Sequence, residues 1–264
     1  MYDLQYYKAK TVDDAAAKIN QAKDGKYIAG GQTLIPTMKA RLASPSDLID
    51  ISQIDSMTGI KVTDSEIIIN ASTTHDEVAN SLEVQRVIPV LSDLAGNIGD
   101  PAVRARGTIG GSVANNDPAA DYPAICLGLD ATIITNLREI NANDFFESFF
   151  ETSLQDDELI IAIKLNVPIK AAYKKFPNPA SRYAMVGVFI GILENGARVS
   201  ITGAGNTGVF RSLDMEKALE KDFSVAAISN IKVPLVEIMS DLHGSAEYRA
   251  HLIGVMAKRA VMSC

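Results

Sequence analysis

GTIGGSVANNDPAADYP, residues 107–123, sets a diglycine between β-branched neighbours and follows it with small polar residues, aspartates and prolines. Glycine lacks a Cβ, so the backbone can turn with positive φ and bring successive N–H groups against an anion, a nest that needs no lysine. A second diglycine, in YIAGGQTLIP at residues 27–36, ends an apparent strand and leads through Gln32 and Thr33 into a short helix. Taken singly, either diglycine reads as a tight turn, because glycine is the commonest turn former. Together, with threonine and serine hydroxyls beside them, the two loops suit a pyrophosphate: hydrogen bonds to charged groups contribute about 1.5 to 3 kcal/mol each. Asp117 and Asp121 read as helix caps ahead of Pro118 and Pro123. Asp121 also reads as an acceptor for the hydroxyls of a sugar chain, and the residues leave both roles open.

The bulk properties bound the rest. At 264 residues, 47% hydrophobic and 22% charged, the chain is long enough for a sizeable core and for more than one lobe. No apolar run approaches the roughly 20 residues of a membrane helix, and MYDLQYYKAKTVDD lacks the regions of a signal peptide, so the expected location is cytoplasmic. A formal net charge of −7 argues against a general nucleic-acid binder, which needs a basic field to displace counterions. Cys126 and Cys264 form no CxxC, and His75, His243 and His251 lie far apart, so spacing offers no metal or cluster site. The histidines read as surface or packed residues, and neither a Walker loop nor a Gly-x-Ser-x-Gly elbow occurs.

Along the chain, residues 1–55 read as strand, helix, strand, loop, strand, with strands at Tyr27–Ala29 and Leu48–Ile51 and a helix cap at Thr11. Residues 56–168 read as a mixed α+β lobe, with strands at Ile67–Ala71, Ala131–Thr135 and Leu159–Leu165 and a helix opening at Thr74 with Glu77 three residues on. The stretch quoted above is read there as a loop. Residues 169–264 read as strands at Val186–Leu193 and Arg198–Thr202, then helices at Leu213–Leu219, Val225–Ile231 and Ala246–Met262. GAGNTG, residues 203–208, satisfies the dinucleotide fingerprint GxGxxG after a strand. The residues that follow open no helix, however, and too little chain remains for a doubly wound domain.

AGGQTLIPTMKAR at 29–41 and GDPAVRARGTIGGSVANNDPAADYPA at 99–124 resemble the FAD-binding medium subunits of the molybdenum hydroxylases, the carbon monoxide dehydrogenase type in particular, within the xanthine dehydrogenase family. The resemblance continues through DELIIAIKL, FPNPASRYAMVGV and SAEYRAHLIGVMAKRA and so covers essentially the whole chain. It implies an α+β, vanillyl-alcohol-oxidase-like (PCMH-type) FAD-binding fold of two lobes, followed by a C-terminal α+β domain of a small antiparallel sheet and helices. It also implies noncovalent FAD, with the pyrophosphate on Ala29, Gly30, Gly31, Gln32, Thr33 and Leu34 and on Thr108, Gly110, Gly111, Ser112 and Asn115. Asp121 falls at the position that contacts the ribityl and ribose region, and Ile98 and Ile160 where apolar residues pack on the flavin and adenine parts. Lys174 or Lys175 falls near a flavin-contacting lysine, and Tyr183 where an aromatic lies by the isoalloxazine. Gln32 departs from the histidine of many relatives, and no cysteine-bearing cluster insert is present.

No residue stands out as a substrate acid or base, so no catalytic residue is assigned. The resemblance supplies the missing parts: a large molybdopterin subunit and a small 2Fe–2S subunit, the complex usually being a dimer of three-subunit units. Electrons are then expected to pass from molybdenum through the clusters to FAD, and on to a quinone, oxygen, NAD or another external acceptor. A stand-alone FAD oxidase of the same superfold is the alternative, and a non-enzymatic nucleotide-binding module a further one.

Overall fold

The computed structural model describes residues 2–264, and its first sheet shows how the opening segment is wound. Strands β1 (Gln5–Lys8), β2 (Gly25–Ile28) and β3 (Asp47–Asp50) are parallel in the order β1-β3-β2. Parallel strands need crossover connections; helix α1 (Val12–Gln21) and helix α2 (Leu34–Lys39) provide them. The Thr11 hydroxyl caps α1 by accepting from the Asp14 amide at 3.1 Å. Ala15 and Ile19 are the buried residues of α1, packed in one core with Ile49.

The second sheet is antiparallel, ordered β4-β5-β10-β6-β7, from β4 (Ile60–Val62), β5 (Glu66–Asn70), β6 (Thr132–Thr135), β7 (Glu139–Asn141) and β10 (Ile160–Asn166). A two-stranded ribbon of β8 (Phe146–Ser148) and β9 (Glu151–Thr152) lies between β7 and β10 in sequence. Between β5 and β6 the chain makes six short helices: α3 (His75–Asn80), α4 (Leu82–Val87), α5 (Pro89–Gly96), α6 (Pro101–Arg104), α7 (Ile109–Asn115) and α8 (Tyr122–Gly128). Local chemistry punctuates them. Thr74 and Glu77 form a complete capping box, Ser81, Asp100 and Thr108 cap α4, α6 and α7, and prolines stand in the first turns of α5, α6 and α8. The expected loop over 107–123 is therefore corrected: it contains all of α7 and the start of α8, whose seven residues are all buried.

The third sheet is an antiparallel meander of β11 (Lys170–Pro177), β12 (Ala184–Leu193), β13 (Gly196–Thr202) and β14 (Phe210–Arg211). Helices α9 (Leu213–Lys221), α10 (Val225–Ile228) and α11 (Ala246–Val261) follow, and α9 and α11 pack on it. Helix α8 packs against β12 and β13 as well, so β12 is buried along nearly its whole length and reads as a continuous apolar run. The contact is close: a Cβ on Gly128 would lie 2.1 Å from Phe189 Cδ1. Hydrogen bonds lock it too. Thr202 Oγ1 donates to the carbonyls of Pro118 and Ala120, Ser200 Oγ to that of Ala124, and the amides of Gly203 and Ala184 to those of Pro118 and Ala119. The expected α+β architecture, ending in a small antiparallel sheet with helices, is thus present. The GAGNTG turn leaves an antiparallel strand, and its Gly203 and Asn206 amides are spent on Pro118 and Glu237 carbonyls, which rules out a Rossmann role.

Candidate functional site

A cavity of about 680 Å³ opens between the 29–34 loop, the start of α7, the 117–121 segment, residues 152–160 and the tip of the β11–β12 hairpin. Its floor is made where the two glycine loops meet. A Cβ on Gly30 would lie 2.0 Å from the Arg106 carbonyl oxygen and 2.8 Å from Gly107 Cα, so only glycine lets the backbones touch. Gly31 adopts φ +70, the left-handed conformation that glycine tolerates. Among the described residues, the amides of Gly30, Gly31, Gln32, Thr33 and Leu34 donate to no protein acceptor, although all five residues line the cavity. Gly30, Gly31 and Leu34 are half-buried, where amides seek partners, while Gln32 and Thr33 are exposed; this row of free donors matches an anionic ligand.

The second diglycine works differently from the expected positive-φ nest. Gly110 and Gly111 belong to the first turn of α7, and neither has positive φ. The amides of Ile109 and Gly110 donate to Thr73 and Ala71 carbonyls, and that of Gly111 to Thr108 Oγ1 at 3.1 Å. Gly110 packs inward, where a Cβ would lie 2.5 Å from Ala71 Cβ; Gly111 is exposed beside the cavity, where a Cβ would meet only Thr108 Oγ1, at 2.9 Å. What this turn offers the cavity is a smooth surface at Gly111 and the polar side chains of Ser112 and Asn115.

On the same cavity lining, Asp121 is only 5% exposed. It occupies the N-cap position of α8 without capping it, which removes the helix-cap reading; its carboxylate instead accepts from the Tyr173 hydroxyl and, at 2.8 Å, from Lys175 Nζ. Lys175 donates also to the Asn97 carbonyl at 3.1 Å. Burial raises the Asp121 pKa above the ordinary carboxylate value, while Lys175 and Tyr173 oppose the rise. Asp117 caps no helix either: its Oδ1 accepts from the Ala119 amide at 2.8 Å, and burial raises its pKa. Tyr183 sits at the hairpin tip, its phenol raised by burial and by the charges of Asp117 and Asp121. Its neighbour Arg182, at φ +63, donates to the Gly99 carbonyl across the cavity mouth at 3.3 Å.

The cavity gathers every residue of the expected set except the two lysines. Alternation along β11 puts Tyr173 and Lys175 on the face toward Asp121 and Lys174 on the other. Sequence reading passed over Tyr173 and Arg182, and it read His75 as a surface or packed residue, of which the packed form is found. His75 lines the cavity while almost wholly buried, and a Cβ on Gly107 would lie 2.7 Å from its Nε2. Burial, aided by the charge of Arg104, pushes its pKa down to about 4, so the ring is neutral at physiological pH. A histidine directly after a capping threonine was the available signal, since the first turn of α3 had to pack on something. Among the described residues no group of His, Cys, Asp or Glu side chains gathers as a metal site, and no helix is long and apolar enough to cross a membrane.

Known proteins place this geometry. The family model described as the FAD binding domain in molybdopterin dehydrogenase matches residues 2–168. The chain is 32% identical to the carbon monoxide dehydrogenase medium chain of Hydrogenophaga pseudoflava, over 98% of this chain and 96% of that one. It is 33% identical to subunit alpha of the 6-hydroxypseudooxynicotine dehydrogenase complex of Paenarthrobacter nicotinovorans, over 98% and 93%. Among solved structures, the carbon monoxide dehydrogenase of Hydrogenophaga pseudoflava lacking the Mo-pyranopterin moiety superposes with a TM-score of 0.89 at 31% identity, covering 99% of this chain and 96% of that one.

Proposed function

Since the chain belongs to the family of FAD-binding subunits of molybdenum hydroxylases, we propose that the cavity holds FAD along its length, noncovalently, and that the chain serves as the electron outlet of a larger complex. The observation that carries this reading is the row of unpartnered amides from Gly30 to Leu34, all of residues that line the cavity. A diphosphate satisfies such donors without a lysine, which suits an acidic chain. Gly111 and the hydroxyl of Ser112 complete the diphosphate site. On this reading Tyr27, whose hydroxyl donates to the Asp157 carbonyl at 3.1 Å, and Ile160 are assigned to the adenine part, and Ile98, Asp121 and Tyr183 to the flavin part, all of them residues of the cavity lining. FAD, when bound, supplies transfer of electrons singly or in pairs. The protein's part is to grip the diphosphate with backbone donors, hold the sugar chain with Asp121 and screen the ring with Ile98 and Tyr183. Lys175, committed to Asp121 and Asn97, acts at one remove.

Residues 1–55 and 56–168 are proposed as the two cofactor-binding lobes and 169–264 as the C-terminal domain; the end of the family match at residue 168, between β10 and β11, supports the second division. The partners are proposed to be a large molybdopterin subunit and a small 2Fe–2S subunit, in a cytoplasmic dimer of three-subunit units that passes electrons to an external acceptor. Near end-to-end similarity to medium chains and complex subunits supports this over a self-contained oxidase. The test has two stages. Acid denaturation of the yellow chain should release free FAD; release of FMN, or pigment that stays on the chain, refutes the cofactor reading. Mixing the loaded chain anaerobically with its large and small subunits and the large subunit's substrate should bleach the flavin. Reduced clusters beside an oxidised flavin, without association, refute the outlet reading.

A further inference from the structure

We infer that Tyr173 is a positioning residue for the cofactor, its hydroxyl fixing the Asp121 carboxylate as an ionised acceptor for the sugar-chain hydroxyls. The inference rests on the FAD reading of the cavity and adds a residue that does not itself line it.

Asp121 is buried at the cavity wall, and a buried carboxylate stays ionised only if its oxygens are given donors. Strand β11 provides them from alternate residues: Tyr173 to Oδ1 and Lys175 to Oδ2. A carboxylate oxygen accepts more than one bond, so lone pairs remain for a ligand. Space for the hydroxyl is built in. Gly187 on β12 lies against it, and a Cβ there would come 2.2 Å from the Tyr173 hydroxyl oxygen and 2.9 Å from Thr202 Cγ2. Burial and the Asp121 charge hold the Tyr173 phenol well above its ordinary pKa, so it remains a donor wherever the protein is folded. Around Asp121 the titratable groups are Lys175 and Tyr173 from β11, Tyr183 from the hairpin tip, Tyr122 beside it in α8 and Asp117 upstream.

Loss of the hydroxyl leaves Lys175 as the one side-chain donor to a carboxylate that burial already drives toward its protonated form. A protonated carboxyl donates where the ligand needs an acceptor, so FAD affinity is full above the Asp121 pKa and falls as pH drops through it. Removing a stabiliser of the ionised form moves that fall to higher pH. The experiment titrates flavin-free chain with FAD, following flavin fluorescence from mildly acidic to mildly alkaline pH. Tyr173→Phe should shift the acid limb upward by about one pH unit, the effect of one hydrogen bond to a charged group, and so weaken binding by up to about tenfold at pH values below the limb. Gly187→Ala, which pushes the hydroxyl away without deleting it, should shift the limb in the same direction. Wild-type affinity in Tyr173→Phe at every pH, or a uniform loss with no displacement of the limb, overturns the inference. If the unaltered chain takes up no FAD, the cofactor reading falls and this inference with it.

Discussion

Adjacent glycines in α7 should respond in opposite ways to the same substitution, because one faces the core and the other the cavity. In Gly110→Ala the new methyl would meet Ala71 at 2.5 Å from Cβ, 2.7 Å from the carbonyl oxygen and 2.8 Å from Cα. Backbone at the end of β5 cannot swing aside as a side chain does, so overpacking costs about 1–3 kcal/mol. Displacement also strains the Gly110 amide bond to the Ala71 carbonyl, worth about 1 kcal/mol. Against this, alanine gains about 1 kcal/mol over glycine in a helix. A net loss of about 1–3 kcal/mol lowers Tm by roughly 2–4 °C per kcal/mol in a chain of this size. In Gly111→Ala the only close atom is Thr108 Oγ1 at 2.9 Å, the cap of the same turn. Part of a cap, worth about 1 kcal/mol, is weakened while helix propensity improves by a similar amount, so stability should barely change. The methyl, however, stands at the cavity wall and should crowd the diphosphate by about 1–3 kcal/mol, roughly 5- to 150-fold in Kd. Thermal melts of the flavin-free variants, paired with FAD titrations, read both quantities. A stable Gly111→Ala chain with wild-type FAD affinity would refute the placement of Gly111 against the cofactor; an unchanged Tm for Gly110→Ala would refute the steric reasoning itself.

Three other outcomes are expected. Lys175→Met strips the buried Asp121 of its cation and should destabilise the chain by about 3–5 kcal/mol, measured by denaturant unfolding at neutral pH; full stability would show the pair to be dispensable. His75 is held neutral by burial, with a pKa near 4 against 6.5 for a free ring, so its contribution is intact above pH 6.5 and is lost as pH falls toward 4, about 3 kcal/mol in all. Its ring protons, followed by NMR, should titrate near pH 4, and an ordinary midpoint would contradict the burial. Arg249, 3% exposed, donates to the Met185 and Gly203 carbonyls and to Asp241. A lysine cannot reproduce that fork, so Arg249→Lys should lower stability by about 3 kcal/mol or more in the same unfolding assay, and an unaltered midpoint would count against it.

Much of the architecture was legible where local chemistry and tertiary context agree. Thr74 with Glu77 announced α3, and the apolar runs of β12 and β13 announced central strands. Helix α7 was not legible, because IGGSVAN holds two glycines and poor helix formers; it forms because Thr108 caps it and Ala71 receives Gly110. Strand β11 was hidden because KAAYKKFP mixes lysines with small residues and shows no clean alternation, its exposure being partial on both faces. The cofactor cavity was half readable. Glycine loops betray themselves locally, but the bond from Tyr173 to Asp121 joins residues 52 apart, and no spacing rule reaches that far. Lys174 and Lys175 were inseparable until the pleat of β11 chose between them.

With FAD in the proposed cavity, the grip of β12 and β13 on the carbonyls of residues 118–124 would make cofactor capture a late event in the life of the chain. Every glycine of the binding loops has been synthesised by residue 111, yet the donors that hold Asp121 come at residues 173 and 175, and the strands that clasp its segment end at residue 202. A nascent chain that has passed the end of the family match therefore carries the diphosphate loops with their far wall still unsupported, and α8 still lacks the sheet it is buried against. Saturating FAD during synthesis cannot hasten the earlier steps, because ligand stabilises only a state that already binds it. A terminator placed between β10 and β11 should yield a fragment that matches its family in full and remains colourless.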